Sequence, residues 1–103
     1  MEKNKKLLIL LLMVFSSIQL FSQKITVTGN VSDAKGEELI GVSVIIKGQT
    51  QLGTITDIDG NYTISANKGD VLQFSYIGFE TTEKRVDGSI LNVTMDMSSE
   101  MLT

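Results

Sequence analysis

From Ile25 onward, apolar residues recur at every second position. Ile25, Val27 and Val31 fall on one side of the chain, and Thr26, Thr28 and Asn30 on the other. That period of two predicts a strand with one face buried. Ser32 to Glu37 then supplies turn residues, with Asp33 and Gly36 suited to unusual backbone angles. Val42, Val44 and Ile46 alternate with Ser43 and Lys47, and Gly48 stops that strand. A short β-branched stretch, Gly53–Thr56, predicts a third. Asp57-Ile58-Asp59-Gly60-Asn61 is the strongest turn signal in the chain. Tyr62, Ile64 and Ala66 alternate with Thr63 and Ser65, and Asn67 to Asp70 turns again.

Val71–Tyr76 predicts a fifth strand, with Leu72, Phe74 and Tyr76 on one face. Gly78 marks a bend or bulge before Phe79. Thr81–Val86 is more polar and reads as an edge strand, where Lys84 and Arg85 discourage pairing with another chain. After Asp87-Gly88, residues Leu91, Val93 and Met95 alternate with Asn92 and Thr94. Seven short strands about ten residues apart predict an all-β, seven-stranded Ig-like or transthyretin-like sandwich, with a small barrel as the competing closure. Ser98 to Thr103 carries no strand pattern and reads as a loose tail.

The first residues follow another rule. Lys3, Lys5 and Lys6 precede an unbroken apolar run from Leu7 to Phe15, and Ser16, Ser17 and Ser22 follow. This is the anatomy of a signal peptide. The run is shorter than the roughly 20 apolar residues that span a bilayer, and it lacks the polar face of a core helix. Cleavage is expected after Ser22, although Leu20 fits the −3 position poorly. The expected organisation is therefore a signal peptide at 1–22, a sandwich at 23–97 and a tail at 98–103. The signal peptide places the protein in the exported fraction, in the periplasm or outer membrane.

Composition narrows the chemistry. The 103 residues include no Cys, His, Pro or Trp, and the net charge is −3. Without Cys there is no disulfide, thiolate nucleophile or Cys-based zinc site. Without His the commonest general base and metal ligand are missing. The acidic balance repels phosphate backbones, which argues against nucleic acid as a partner. Removing residues 1–22 takes three lysines and Glu2 away and makes the remaining domain more acidic still. A domain of that size without disulfides rests on its apolar core alone.

Several stretches carry a resemblance. They are Val27-Thr28-Gly29-Asn30-Val31, then Leu39-Ile40-Gly41-Val42-Ser43-Val44, Gly53-Thr54-Ile55-Thr56-Asp57-Ile58-Asp59-Gly60-Asn61-Tyr62, and Leu72-Gln73-Phe74-Ser75-Tyr76-Ile77-Gly78-Phe79-Glu80. In this order they resemble the carboxypeptidase-regulatory-like domain, a transthyretin-like sandwich. In Bacteroidota that domain stands at the N-terminus of SusC/RagA-type TonB-dependent outer-membrane receptors. Glu38 occupies the place where the family often has proline. The resemblance implies a non-catalytic accessory module in polymer or glycan import. Its implied partner is the plug and barrel of the same receptor, or a periplasmic protein. The membrane is reached only through a full-length receptor. A plug and barrel are not encoded in these 103 residues, so a fragment or truncated frame is expected. A free-standing secreted module that binds carbohydrate or protein is the alternative. The sandwich that accompanies metallocarboxypeptidases is a third reading, and it too leaves this chain inert.

No cofactor or metal site is expected. Asp57 and Asp59 ahead of Gly60 suggest calcium, but EF-hand spacing puts Ile55 and Ala66 at the two end-ligand positions. Asp57, Asp59, Gly60, Asn61 and Tyr62 are instead expected to form a structural turn, the carboxylates accepting backbone N–H groups. The same two carboxylates lie too close in sequence for glycosidase chemistry. No Ser-x-x-Lys or Gly-x-Ser-x-Gly arrangement is present. Tyr62, Phe74 and Tyr76 fit the inward register of their strands and read as core rather than sugar-stacking rings. Gly78 and Phe79 are the expected surface contact. Asn61-Tyr62-Thr63 and Asn92-Val93-Thr94 match the glycosylation sequon, idle in a bacterial protein. An exposed strand edge pairing with a partner segment is the expected mode of contact.

Overall fold

Two antiparallel-rich sheets face one another in a computed structural model that describes residues 4–6 and 24–99. The first sheet has the order β4 (Asn61–Ala66), β1 (Ile25–Asp33), β7 (Val93–Met95). The second has the order β3 (Gln49–Ile55), β2 (Ser43–Ile46), β5 (Val71–Ser75), β6 (Thr82–Arg85). The expected all-β sandwich with seven strands is what forms. The signal-peptide segment falls outside the described residues except for 4–6, which are helical, and so does 100–103 of the tail.

Alternation decides which side chains the sheets share. In β4 the burial pattern is strictly exposed, buried, exposed, so Tyr62, Ile64 and Ala66 face inward. Val27 and Val31 of β1 join them, and Val93 and Met95 of β7 complete that face. From the second sheet come Val44, Ile46, Leu72 and Phe74. Phe74 meets Tyr62 edge-to-face across the interior, with ring centroids 5.4 Å apart. Each such side chain contributes roughly 1.5–3 kcal/mol on burial, which is the main source of stability in a domain without cross-links.

Three features differ from the pattern read along the chain. β3 begins at Gln49, not Gly53, because Lys47-Gly48 is a two-residue turn that pairs Ile46 with Gln49. Gly48 has φ 89°, a value open to glycine. β5 ends at Ser75, so Tyr76 opens a turn and is half-buried rather than inside. β7 is shorter than expected and runs parallel to β1, Val31 opposite Val93 and Asp33 opposite Met95. Upstream of it, Leu91 is tied to β1 by its N–H to the Thr28 carbonyl at 2.9 Å. The polar strand Thr82–Arg85 does lie at an edge, beyond β5.

The registers sort the loops into two ends. One end holds the turns after β1, β3 and β5 together with the exit from β7. The other holds the start of β1 at Lys24, the Lys47-Gly48 turn, the 67–70 turn and the segment after β6.

Candidate functional site

The loop from Asp57 to Tyr62 is built by one carboxylate. Asp57 Oδ1 accepts the N–H of Asp59 at 2.9 Å and of Asn61 at 3.0 Å. The Gly60 N–H reaches the Asp57 carbonyl at 2.9 Å, and the Asp57 N–H reaches the Asn61 carbonyl at 2.9 Å. Gly60 sits at φ 77°, and its carbonyl is locked in turn by accepting the Val31 N–H at 2.8 Å. Asn30 of β1 braces the loop from beneath. Its Nδ2 donates to the Asp59 carbonyl at 2.8 Å and to Asn61 Oδ1 at 3.0 Å. Asn92 Oδ1 accepts the Asn30 N–H at 3.0 Å.

The same design occurs a second time. Asp33 Oδ1 accepts the N–H of Lys35 and of Glu37, both at 2.9 Å. The Gly36 N–H donates to the Asp33 carbonyl, the Asp33 N–H donates to the Glu37 carbonyl, and Gly36 has φ 84°. Asp-x-x-Gly-x is thus a repeated device in which the side chain takes over the work of a missing strand partner. Both turns are visible in the sequence, but their identity of mechanism is not. The spacing Asp33–Gly36 and Asp57–Gly60 was the available signal.

Beneath the loops, Thr56 is a buried polar residue with both hydroxyl functions used. It donates to the Leu39 carbonyl at 2.6 Å and accepts the Val42 N–H at 2.9 Å. This pins the Leu39–Val42 bend beside the Asp57 loop. Tyr62 is 3% exposed, and its hydroxyl donates to the Leu91 carbonyl at 2.6 Å. Burial pushes that phenol up to about 12. Asn30 and Asn92 fall on the ordinary polar phase of their strands and Thr56 ends a β-branched stretch, so reading the pattern alone does not single them out.

The turn at 76–79 is closed by the Phe79 N–H to the Tyr76 carbonyl at 3.1 Å, with Gly78 at φ 87°. Phe79 is half-buried against the core and lies 5.6 Å from the Tyr76 ring, while Ile77 at the tip is 95% exposed. The chain leaves β7 alongside this turn, since the Glu80 N–H meets the Asp96 carbonyl and the Ser98 N–H meets the Gly78 carbonyl. Ser98, the first residue of the expected tail, is therefore tied to the sandwich.

These carboxylates are occupied in shaping backbone, which leaves them poorly placed for general acid or base work. Among the described residues no group of three or more acidic side chains is gathered as a metal site would need.

A family model for the CarboxypepD_reg-like domain matches residues 27–103. The chain belongs to that family. Among its relatives is the TonB-dependent receptor SusC of Bacteroides thetaiotaomicron, 45% identical over 95% of this chain and 10% of that protein. The TonB-dependent receptor P26 of Formosa agariphila is 47% identical over 72% of this chain and 7% of that protein. The TonB-dependent receptor P3 of the same organism is 38% identical over 91% of this chain and 10% of that protein. The chain spans only 7–10% of the length of these relatives. The matched span of this CarboxypepD_reg-like domain takes in both Asp loops, Thr56, Tyr62 and the 76–79 turn.

Proposed function

We propose that this domain is a non-catalytic accessory module of a TonB-dependent outer-membrane receptor that imports nutrients such as glycans. It faces the periplasm and reaches the membrane only through the remainder of the receptor. The observation that carries the reading is the 45% identity to a TonB-dependent receptor over 95% of the chain. The other relatives named above bear the same printed description, and none is described as a free-standing binding module. The structural support is that the Asp33 and Asp57 carboxylates hold backbone N–H groups, which fits a module that works through contacts. Export through a signal peptide at 1–22 fits the same location.

Fractionation tests it. An antibody against the sandwich should detect, in the outer-membrane fraction of the native cells, a polypeptide about ten times the length of this chain, since the relatives are that much longer. Its N-terminus should be Gln23. Detection of nothing but a free periplasmic protein of the domain's own size would overturn the reading.

A further inference from the structure

The two ends of the sandwich differ in charge and in apolar exposure. At the end where β7 exits lie Asp33, Glu37 and Glu38 of the first loop, Asp57 and Asp59 of the second, and Glu80 and Asp96 beside the 76–79 turn. Lys35 is the one basic residue among the described residues of these loops. At the opposite end the balance reverses, with Lys24, Lys47, Lys68, Lys84 and Arg85 against Asp70, Glu83 and Asp87. Lys47 and Glu83 there neutralise one another at 3.0 Å.

The acidic end also holds exposed isoleucines. Ile55 is 66% exposed, Ile40 52% and Ile77 95%. Register brings them together. Ile55 pairs with Ser43, and Ser43 pairs with Ser75, so a row of small residues on the outer face of the second sheet runs between Ile55 and the strand that leads to Ile77. A shallow hollow of about 420 Å³ lies in this row, lined by Gly41, Ser43, Ser75, Tyr76 and Ile77. Ile40 precedes Gly41 at its margin. Glycine and serine keep the floor low, Tyr76 and Ile77 line it beside them, and Ile55 stands at the far end of the Ser43–Ser75 row. Exposed large aliphatic side chains beside a hollow, at an end whose loops are acidic, mark a protein contact.

We propose that this end is the docking surface for a basic, aliphatic segment of the receptor polypeptide that follows the domain; the source, though not the surface, rests on the accessory-module reading. Charge complementarity selects the occupant. A second copy packed through the same end would set acid against acid, and phosphate-bearing lipid headgroups are repelled in the same way. A segment with lysine or arginine around isoleucine, leucine or valine satisfies both the acidic loops and the hollow. The backbone favours a segment of the same polypeptide, because the chain passes Gly78 at Ser98 and so leaves the sandwich at the rim of the hollow. A tethered partner starts with a high effective concentration there.

The surface is tested by titrating the purified exported chain, labelled for NMR, with a seven-residue peptide alternating lysine and isoleucine. Saturable shifts at Ile40, Ile55 and Ile77 are expected, with Lys24 and Lys68 unmoved. Replacing the peptide's lysines by glutamate, or its isoleucines by serine, should weaken binding about tenfold or more, and raising the salt should weaken it as well. Ile55→Ser with Ile77→Ser should abolish the shifts while leaving the thermal midpoint unchanged, since both side chains are exposed. Absence of shifts, equal binding of the glutamate peptide, or shifts confined to the lysine end would overturn the proposal. The source is tested separately by placing a photoactivatable benzophenone residue at position 77 in native cells. A cross-link within one long polypeptide is expected. A cross-link to a second protein or a second copy would overturn the assignment to a tethered segment. The peptide titration reads the surface whatever the fractionation experiment returns, so the two readings fail independently.

Discussion

Two glycines with nearly the same backbone angle separate strain from crowding. Gly36 has φ 84° with nothing within 4 Å of where a Cβ would stand. Gly60 has φ 77°, and its Cβ would lie 2.8 Å from the Val31 carbonyl oxygen and 3.1 Å from Glu38 Cβ. Gly36→Ala should therefore cost about 1–2 kcal/mol from the left-handed angle alone. Gly60→Ala should cost a further 1–3 kcal/mol from overpacking. Equal unfolding midpoints in urea for the two variants would show that the Asn30 brace does not hold the Asp57 loop rigid. Thr56 poses a different question, since its hydroxyl satisfies one donor and one acceptor in the interior. Thr56→Val keeps the shape and strands both groups, for an expected loss of about 2–4 kcal/mol. Thr56→Ser should recover most of it. Tyr62 adds a pH signature. Its folded value of about 12 exceeds the unfolded 10 because burial disfavours the phenolate. The stabilisation is whole below pH 10. As pH rises from 10 to 12 the unfolded chain ionises first, so stability falls, by an amount on the order of 2 kcal/mol. In Tyr62→Phe that alkaline loss should be missing, and an unchanged slope between pH 10 and 12 would assign the loss to other groups.

At the scale of the element, legibility tracks burial. β4 and β5 alternate cleanly because one face meets the core, so Tyr62, Ile64, Leu72 and Phe74 announce both the strand and its inward side. β3 does not announce its start, since Gln49-Thr50-Gln51 offers no apolar alternation and the turn before it has only Gly48 as a marker. The Asp loops were legible as turns through Asp and Gly, but their bracing by Asn30 and Asn92 depends on strands that meet only in three dimensions. β6 shows the opposite case, an element whose polarity states its place. Glu83, Lys84 and Arg85 are all exposed, and β6 ends its sheet. Charges at a sheet edge prevent the free N–H and C=O groups from recruiting another chain. Lys84→Val with Arg85→Val should leave the fold intact and produce concentration-dependent dimers or larger species in light scattering. A variant that stays monomeric at high concentration would mean that the edge is protected by something other than charge.

In the whole molecule, the first and last strands lie side by side. Val31 and Asp33 stand opposite Val93 and Met95 in parallel, a contact between residues about sixty positions apart. No local pattern encodes it, because parallel pairing needs a long crossover and the strands between supply it by building the second sheet. The close approach that makes it possible is at Gly29, where a Cβ would fall 1.8 Å from the Leu91 carbonyl oxygen and 2.8 Å from the Tyr62 ring. That carbonyl also accepts the Tyr62 hydroxyl, so one short segment joins β1, β4 and the approach to β7. The domain is thus closed late in the chain, and its acidic end is completed only when Glu80 meets Asp96. A chain ended at Gly88 would lack Val93 and Met95 from the core and leave the Tyr62 hydroxyl buried without its acceptor. Losing two buried side chains and one buried hydrogen bond removes about 5–8 kcal/mol, comparable with the entire stability of a small domain. The truncated chain should show no cooperative thermal transition. Gly29→Val in the full chain should destabilise by the same route, forcing residues 90–92 off β1 while leaving every core side chain present. If instead the truncated chain melts cooperatively near the midpoint of the full one, the remaining strands close the sandwich by themselves, and β7 is an appendage rather than its final stave.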